Sequence, residues 1–270
     1  ITYWTVRGTF DEMLARSAHV TVGQPSLPFF LVMWMGAQLG AQLGGAIEVA
    51  LRLPSEIAAV VSAIGLYRIA MRFGDRFRAL VAVGLFASYD TVRFAAADAR
   101  PYALALMCVV WSFFMLVRWC DSRKAGYAVA YAALASLGFW FHFTSGVLFP
   151  LHLLYVWTRE PSARPPRSHF WVVTATFAAA FAPMIPQAVR TWGERGMHSF
   201  AGTPATIDLL DVLINVRLIV FAGIGLAVAR ALYGRLSVRA AGAWGANQWF
   251  NLAWFALPPV AFYVLAQFSD

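Results

Sequence analysis

Apolar stretches separated by short polar breaks recur along the chain from residue 53 towards its end. A transmembrane helix needs about 20 predominantly apolar residues, and these stretches approach that length. The pattern therefore predicts an all-α fold, a polytopic transmembrane helix bundle with about eight spans. The predicted spans are 53–73, 79–95, 101–119, 127–141, 145–157, 170–186, 209–229 and 249–267.

The segment that precedes the first span has an amphipathic pattern. Thr9 and Glu12 have the spacing of a capping box, in which each side chain bonds the other residue's backbone N–H, so a helix is predicted from about Phe10. Residues 28–43 are apolar, but this run is short and rich in Gly and Gln. That composition favours a helix that lies in the membrane interface over one that crosses it.

Composition narrows the class of protein further. Of the 270 residues, 60% are hydrophobic and only 13% are charged, whereas soluble globular domains carry about 25% charged residues. These values exclude a soluble domain, a disordered chain and a coiled coil. The net charge of +8 could suggest a nucleic-acid partner, but the basic residues are scattered and form no basic face. We therefore expect no nucleic acid and assign the positive charge to membrane orientation.

Charge asymmetry predicts which ends of the spans face the cytoplasm. Loops rich in Arg and Lys are cytoplasmic by the positive-inside rule, and most acidic residues fall in the other loops. Residues 1–52 then form an external loop with two juxtamembrane helices, and residues 53–270 form the transmembrane domain, with a further external loop near 187–206. In a bacterium the chain would lie in the cytoplasmic (inner) membrane. The predicted cytoplasmic residues are Arg68, Arg72, Arg76, Arg78, Arg118, Arg123, Lys124, Arg159, Arg164, Arg167, Arg230, Arg235 and Arg239.

The densest polar group on the predicted external side lies between two spans, at Asp98, Arg100 and Tyr102. Ionisable residues at membrane depth are costly, which makes them candidates for a functional site. The alternative is that Asp98 and Arg100 are ordinary interfacial charges beside a helix that begins at Pro101. The residues alone leave both interpretations open.

Four other positions also have a functional and a structural interpretation, and at these the structural one is favoured. Arg52 could bind a lipid phosphate through its permanently charged, bidentate guanidinium, or extend to ordinary head groups. His142 occupies a tight external turn, where it could line a site or hydrogen-bond within the turn. Asp11 and Glu12 form a carboxylate pair, but a helix cap explains them without catalysis.

These motifs occur in the order and approximate spacing of a known family. They are residues 24–30 (QPSLPFF), 51–55 (LRLPS) and 97–102 (ADARPY), followed by His142. Over roughly residues 1–160 the chain resembles the dolichyl- or polyprenyl-phosphate-mannose protein mannosyltransferases and aminoarabinose transferase-like proteins, which are membrane glycosyltransferases of the GT-C fold.

The resemblance implies a reaction at the external or periplasmic face, with inversion at the sugar carbon. The donor would be a polyprenyl-phosphate-linked sugar, and the acceptor a protein, a lipid or a glycan. Asp98 matches the family's second external acidic position, where it could orient the acceptor or help to bind a divalent cation. Arg100 and Tyr102 match the Arg-x-Tyr that follows, and with Arg52 they would bind the donor phosphate. Gln24 and His142 would border the site.

The resemblance also implies that the main catalytic acid lies upstream of Ile1. In the family this carboxylate falls early in the external loop, shortly before the first juxtamembrane helix, and the chain begins where that motif would have ended. Asp11 and Glu12 come a turn or two too late, so they are weak candidates for the catalytic acid. We therefore expect that this chain is a fragment without the first span.

Two other functional classes remain open from the sequence. A secondary transporter or flippase would place ionisable groups near the bilayer midplane, within repeated halves. A non-catalytic membrane scaffold would need no acid at all. An outward cavity bordered by Arg52, Asp98, Arg100 and His142 would favour the enzyme, and a central polar pathway would favour transport.

Overall fold

The computed structural model describes residues 2–19, 26–186 and 204–213, together with scattered positions between 189 and 267. Within these residues every regular element is a helix and none is a strand, which confirms the predicted all-α class for this part of the chain. The chain forms two compact units. The first comprises Ile1–Gly146 and Pro165–Glu194, and the second comprises Val147–Arg164 and Arg195–Asp270.

Most of the described helices belong to the first unit. They are α1 (Thr2–Val6), α2 (Phe10–His19), α3 (Leu27–Gln42), α4 (Ile47–Phe73), α5 (Arg76–Ser88), α6 (Asp90–Ala97), α7 (Tyr102–Ser122), α8 (Ala125–Phe141) and α10 (Arg167–Phe181). The second unit contains α9 (Phe149–Thr158) and α11 (Thr206–Leu213). Within the described ranges, short 3₁₀ turns lie at Phe143–Leu148, Pro161–Ala163 and Ala182–Met184.

Two of the described helices, α4 and α7, are long and apolar enough to cross a membrane. Helices α5 and α6 pass the same test as a pair, with a 65° bend between them, whereas α8 is shorter than a full span. The predicted spans 53–73 and 101–119 therefore correspond to single helices, and 79–95 corresponds to the bent pair. The described residues do not confirm a count of eight, and most of 209–229 and 249–267 lies outside them.

Helices α4 and α7 lie side by side and run in the same direction. Near the middle of both, the Trp111 indole N–H donates to the Val61 carbonyl over 2.9 Å. Towards their C-terminal ends, Arg72 donates two hydrogen bonds to the Asp121 carboxylate. The bonded residues of α4 and α7 are about 50 positions apart in the sequence at both of these contacts. The two helices therefore keep the same register along their length.

Helix α8 packs antiparallel to α7, and α10 packs against α8. The approach of α8 to α7 is close at Gly138, where an added Cβ would lie 3.2 Å from Cβ of Cys108. On the other side of α8, the Trp140 indole donates to the Ala180 carbonyl over 2.9 Å. The first unit is therefore a helical layer in which the N-terminus of α7 and the C-terminus of α8 lie at the same end.

The N-terminal helices pack onto that same end of the bundle. Phe29, Phe30 and Met33 of α3 join one buried cluster with Leu51 of α4 and Ala103 of α7. Gly36 and Gly40 allow a close approach of α3 to α4, since added Cβ atoms would meet Pro54 and Ala50. Residues 28–43 are thus helical, as predicted, and the interfacial position of this helix stays a prediction.

The predicted capping box is present at the start of α2. The Thr9 N–H donates to the Glu12 carboxylate over 3.0 Å, and the Glu12 N–H donates to the Thr9 hydroxyl over 3.4 Å. Just before it, Gly8 has a φ of +91°, a conformation that suits glycine. Its carbonyl accepts hydrogen bonds from Trp34 and Gln38 of α3, each over 3.1 Å. These bonds fasten the turn between α1 and α2 to α3.

Candidate functional site

The central part of the candidate site is the short loop that joins α6 to α7. Asp98 caps the C-terminus of α6, its backbone N–H donating to the Phe94 carbonyl over 3.0 Å. Pro101 is buried and starts α7, where a proline fits because the first N–H groups of a helix have no partner within it. The Thr2 hydroxyl of α1 donates to the Ala99 carbonyl over 3.1 Å. The loop is thus held both by its flanking helices and by α1.

Asp98 and Arg100 form an ion pair across this loop. The Nε of Arg100 lies 3.1 Å from Oδ2 of Asp98, and the Asp98 side chain is 28% exposed while that of Arg100 is 60% exposed. A hydrogen bond to the Tyr102 hydroxyl and, secondly, the negative charge of Asp98 raise the pKa of Arg100 above its ordinary value. The guanidinium is therefore a permanent cation, held by two neighbours and open to solvent.

Tyr102 continues this chain of contacts to α8. Its ring centroid lies 5.2 Å from that of His142, with 45° between the planes. His142 in turn stacks on Phe143 at 5.7 Å and pairs through Nδ1 with the Thr144 hydroxyl at 2.5 Å. Burial lowers the pKa of His142, which favours a neutral imidazole near pH 7.

The structure thus brings Asp98, Arg100, Tyr102 and His142 into one connected group, which we call the loop cluster. Neither Thr144 nor Thr2 is a candidate in the sequence pattern, although both hold members or neighbours of the cluster. The one sequence signal for Thr144 was its position two residues after the turn histidine, from which its hydroxyl can reach the imidazole. Nothing in the local sequence indicates that Thr2 contacts a loop 97 residues away.

Arg52 does not join the loop cluster through a described contact. It is exposed on α4, and no hydrogen bond or ion pair to it is found among the described residues. The constant register of about 50 residues between α4 and α7 places it at the level of Pro101 and Tyr102. Arg52 and Arg100 are therefore cations at the same end of the bundle.

The remaining predicted site residues lie elsewhere. Glu12 is engaged in the capping box and in an ion pair with Arg16 at 3.5 Å, and Asp11 is exposed in the first turn of α2. Within the described part of the chain no hydrogen bond or ion pair links either carboxylate to the loop cluster. Gln24 lies outside the described residues.

The loop cluster has the chemistry of an anion-binding site beside a carboxylate. A guanidinium donates in a planar fork that matches two phosphate oxygens, and a phenol hydroxyl adds a further donor. A partly buried carboxylate can orient a hydroxyl or amine nucleophile. Among the described residues no group of three or more His, Cys, Asp or Glu side chains is placed to hold a metal ion.

Comparison with known proteins gives one match. The family model described as dolichyl-phosphate-mannose-protein mannosyltransferase matches residues 25–187, which is more than half of the chain. No curated protein and no solved structure matches it. The matched range contains Arg52 and the whole loop cluster, whereas Asp11, Glu12 and Gln24 precede it.

Proposed function

The chain belongs to the dolichyl-phosphate-mannose-protein mannosyltransferase family, and from this premise we propose that it transfers a sugar from a polyprenyl-phosphate-linked donor to an acceptor at the external face of the cytoplasmic membrane. The family and the apolar helices together indicate a membrane glycosyltransferase. The family also implies a lipid-linked sugar donor and an acceptor. The polyprenyl carrier, the GT-C class and the external face are parts of the proposal.

The observation that carries the proposal is the ion-paired, solvent-accessible Arg100 in the loop cluster. It sits at the N-terminus of α7, and Arg52 lies at the same level on α4. A lipid phosphate enters from the end of a span, at the depth of the head groups. Two guanidinium groups at that level are suited to hold the phosphate while the lipid chain stays in the bilayer.

In the proposed reaction the acceptor's oxygen or nitrogen attacks the sugar carbon that carries the phosphate. The new bond forms as the carbon–oxygen bond to the phosphate breaks, the polyprenyl phosphate leaves with both electrons, and the acceptor loses its proton to a base. Arg52 and Arg100 stabilise the charge that develops on the leaving phosphate. Asp98 orients the acceptor, and Tyr102 holds the Arg100 guanidinium towards the phosphate.

His142 has a supporting role in this proposal. Its lowered pKa keeps the imidazole uncharged, so it adds no second cation next to Tyr102. The stack with Phe143 and the bond to Thr144 fix the ring in place. A fixed neutral ring against Tyr102 limits the positions that the phenol can adopt.

The proposal is tested with the gene product in proteoliposomes that contain a radiolabelled polyprenyl-phosphate-linked mannose, with cell-envelope extract as the source of acceptor. We expect release of polyprenyl phosphate together with label in a water-soluble or acceptor-bound product. Arg100→Ala should abolish both signals, and Arg78→Ala, an arginine outside the loop cluster, should not. Movement of intact donor between leaflets without cleavage would instead indicate a flippase and overturn the proposal. If the mannose donor is neither cleaved nor moved between leaflets, the assay is repeated with a polyprenyl-phosphate-linked aminoarabinose donor.

A further inference from the structure

A second group of charged residues lies at the opposite end of α7 from the loop cluster. It consists of five cations around one carboxylate and spans the ends of α4 and α7 and the turn into α8. We call it the basic cluster: Arg68, Arg72, Arg118, Arg123 and Lys124 around Asp121.

The single carboxylate of the basic cluster is already engaged. Arg72 donates from Nε to Asp121 over 2.8 Å and from its terminal nitrogen over 3.1 Å, so both carboxylate oxygens accept from one guanidinium. Arg68, Arg118 and Lys124 form no ion pair within the described part of the chain. The basic cluster therefore keeps a large excess of positive charge.

Aromatic rings position two of these cations. The Arg68 guanidinium lies 5.5 Å from the centroid of the Trp111 ring, and Arg118 lies 5.3 Å from that of Tyr127. Arg118 also donates to the Tyr127 hydroxyl over 3.2 Å. Because α4, α7 and α8 each contribute to these contacts, the cations are held between helices and are not isolated on separate loops.

The position of the basic cluster along the helices indicates the partner. It lies at the common end of α4 and α7, the two described helices that are long and apolar enough to cross a membrane. Cations at the end of a span lie at the depth of lipid phosphates, and Tyr side chains, such as that of Tyr127, are enriched at the same depth. Guanidinium groups match the oxygens of a phosphodiester, and each basic residue near an anionic surface adds to lipid binding.

We propose that the basic cluster binds the phosphate headgroup of an anionic phospholipid. Arg118 and Lys124 make the principal contacts, Arg68 approaches from α4, and the Arg72–Asp121 pair keeps the two helix ends together. The site is independent of the transfer reaction, because the loop cluster lies at the other end of α7.

The test uses the purified gene product in neutral detergent with a photoactivatable phosphatidylglycerol. We expect crosslinks in the peptide that contains residues 118–127, with weaker crosslinking by a phosphatidylcholine that carries the same photoactivatable group. The double variant Arg118→Gln/Lys124→Gln should lose affinity by about fivefold for each residue removed. Arg78→Gln is the matched control, since Arg78 lies at the same end of the bundle but pairs with Asp75.

Three results would overturn the assignment. Equal crosslinking of both lipids would show that the negative headgroup is not recognised. An equal loss in Arg78→Gln would show that general positive charge suffices. Full competition by soluble glycerol phosphate at equal concentration would show a site for free phosphate and not for a lipid. The crosslinked peptide of the unmodified chain keeps the test valid if the double variant does not fold.

Discussion

The ring of Tyr102, at the start of α7, lies 5.2 Å from the imidazole of His142 at the end of α8. The same tyrosine hydroxyl accepts a hydrogen bond from Arg100, so one side chain links a cation on the connecting loop to a neutral ring on another helix. One substitution at Tyr102 can remove the hydrogen bond alone, and another can remove both links together. This is the basis of the first prediction.

We predict that Tyr102→Phe weakens donor binding about tenfold, because it removes a hydrogen bond to a charged group while the ring contact with His142 stays. Tyr102→Leu should weaken binding further, since it removes both. Donor affinity is measured by photoaffinity labelling with a polyprenyl-phosphate-linked sugar. Tyr67→Phe, on α4, serves as the control. Equal donor affinity in Tyr102→Phe and the unmodified protein would remove Tyr102 from the proposed phosphate site.

Asp98→Asn should reduce turnover by tenfold or more while donor affinity changes by less than about threefold. The amide keeps the shape of the side chain but loses the charge that attracts Arg100 and the strong acceptor that would orient a nucleophile. The measurement compares the rate of polyprenyl phosphate release with the photoaffinity signal. Asp90→Asn, which removes a carboxylate paired with Arg93 at the exposed start of α6, is the control. Full turnover in Asp98→Asn would exclude the proposed role.

His142 should make the stability of the protein depend on pH below about 6.5. Burial lowers the pKa of His142 in the folded state, so the unfolded chain binds this proton more readily. Stability is therefore unaffected by this group above the unfolded pKa and falls as the pH decreases below it. Thermal unfolding midpoints between pH 5 and 7.5 should decline less in His142→Asn than in the unmodified protein. Identical slopes would contradict the burial of this imidazole.

Gly8→Ala should destabilise the protein by about 2 kcal/mol, from the cost of a left-handed alanine and the loss of a helix cap. The added Cβ would collide with the Glu12 carboxylate, which must leave the Thr9 N–H. Thermal unfolding in detergent provides the measurement. Gly84→Ala on α5 has open space around its Cβ and should be neutral or slightly stabilising. Equal midpoints for the two variants would show that the turn does not need glycine.

Gly65→Val should loosen the packing of α4 on α7 and cost about 1–3 kcal/mol. An added Cβ would lie 2.8 Å from Cγ1 of Val110 and 3.0 Å from Nε1 of Trp111. Trp111 cannot move away without breaking its hydrogen bond to the Val61 carbonyl. Gly84→Val makes the same chemical change at an open position, and the difference in unfolding midpoint between the two variants isolates the contact.

Local sequence rules predicted the features that depend on neighbouring residues. The capping box at Thr9 and Glu12, the helix from Phe10 and the turn at His142 all follow from spacings of a few residues, and the structure confirms them. Hydropathy likewise located α4 and α7, because a long apolar run has few alternatives to a helix.

The sequence could not predict contacts between distant residues. The ring contact between Tyr102 and His142 and the hydrogen bond from Thr2 to Ala99 depend on how helices pack, which periodicity does not determine. The bend at Tyr89 was also missed, because the apolar run continues through it without Pro or Gly at that position. The register between α4 and α7 places Arg52 at the level of the loop cluster, although no described contact joins them.

Because α4 and α7 run in the same direction, the segment between them must cross the membrane an odd number of times if both helices span it. Two helices that cross a bilayer in the same direction must be separated by an odd number of crossings. The chain leaves α4 near Arg72 and re-enters at Tyr102, and only the bent pair α5–α6 lies between these points. If α5 and α6 formed a re-entrant hairpin that returned to the same side of the membrane, α7 would begin at the face where α4 ends and would run antiparallel to α4. Residues 76–97 therefore act as one crossing with a bend at Tyr89 wherever α4 and α7 both span the membrane.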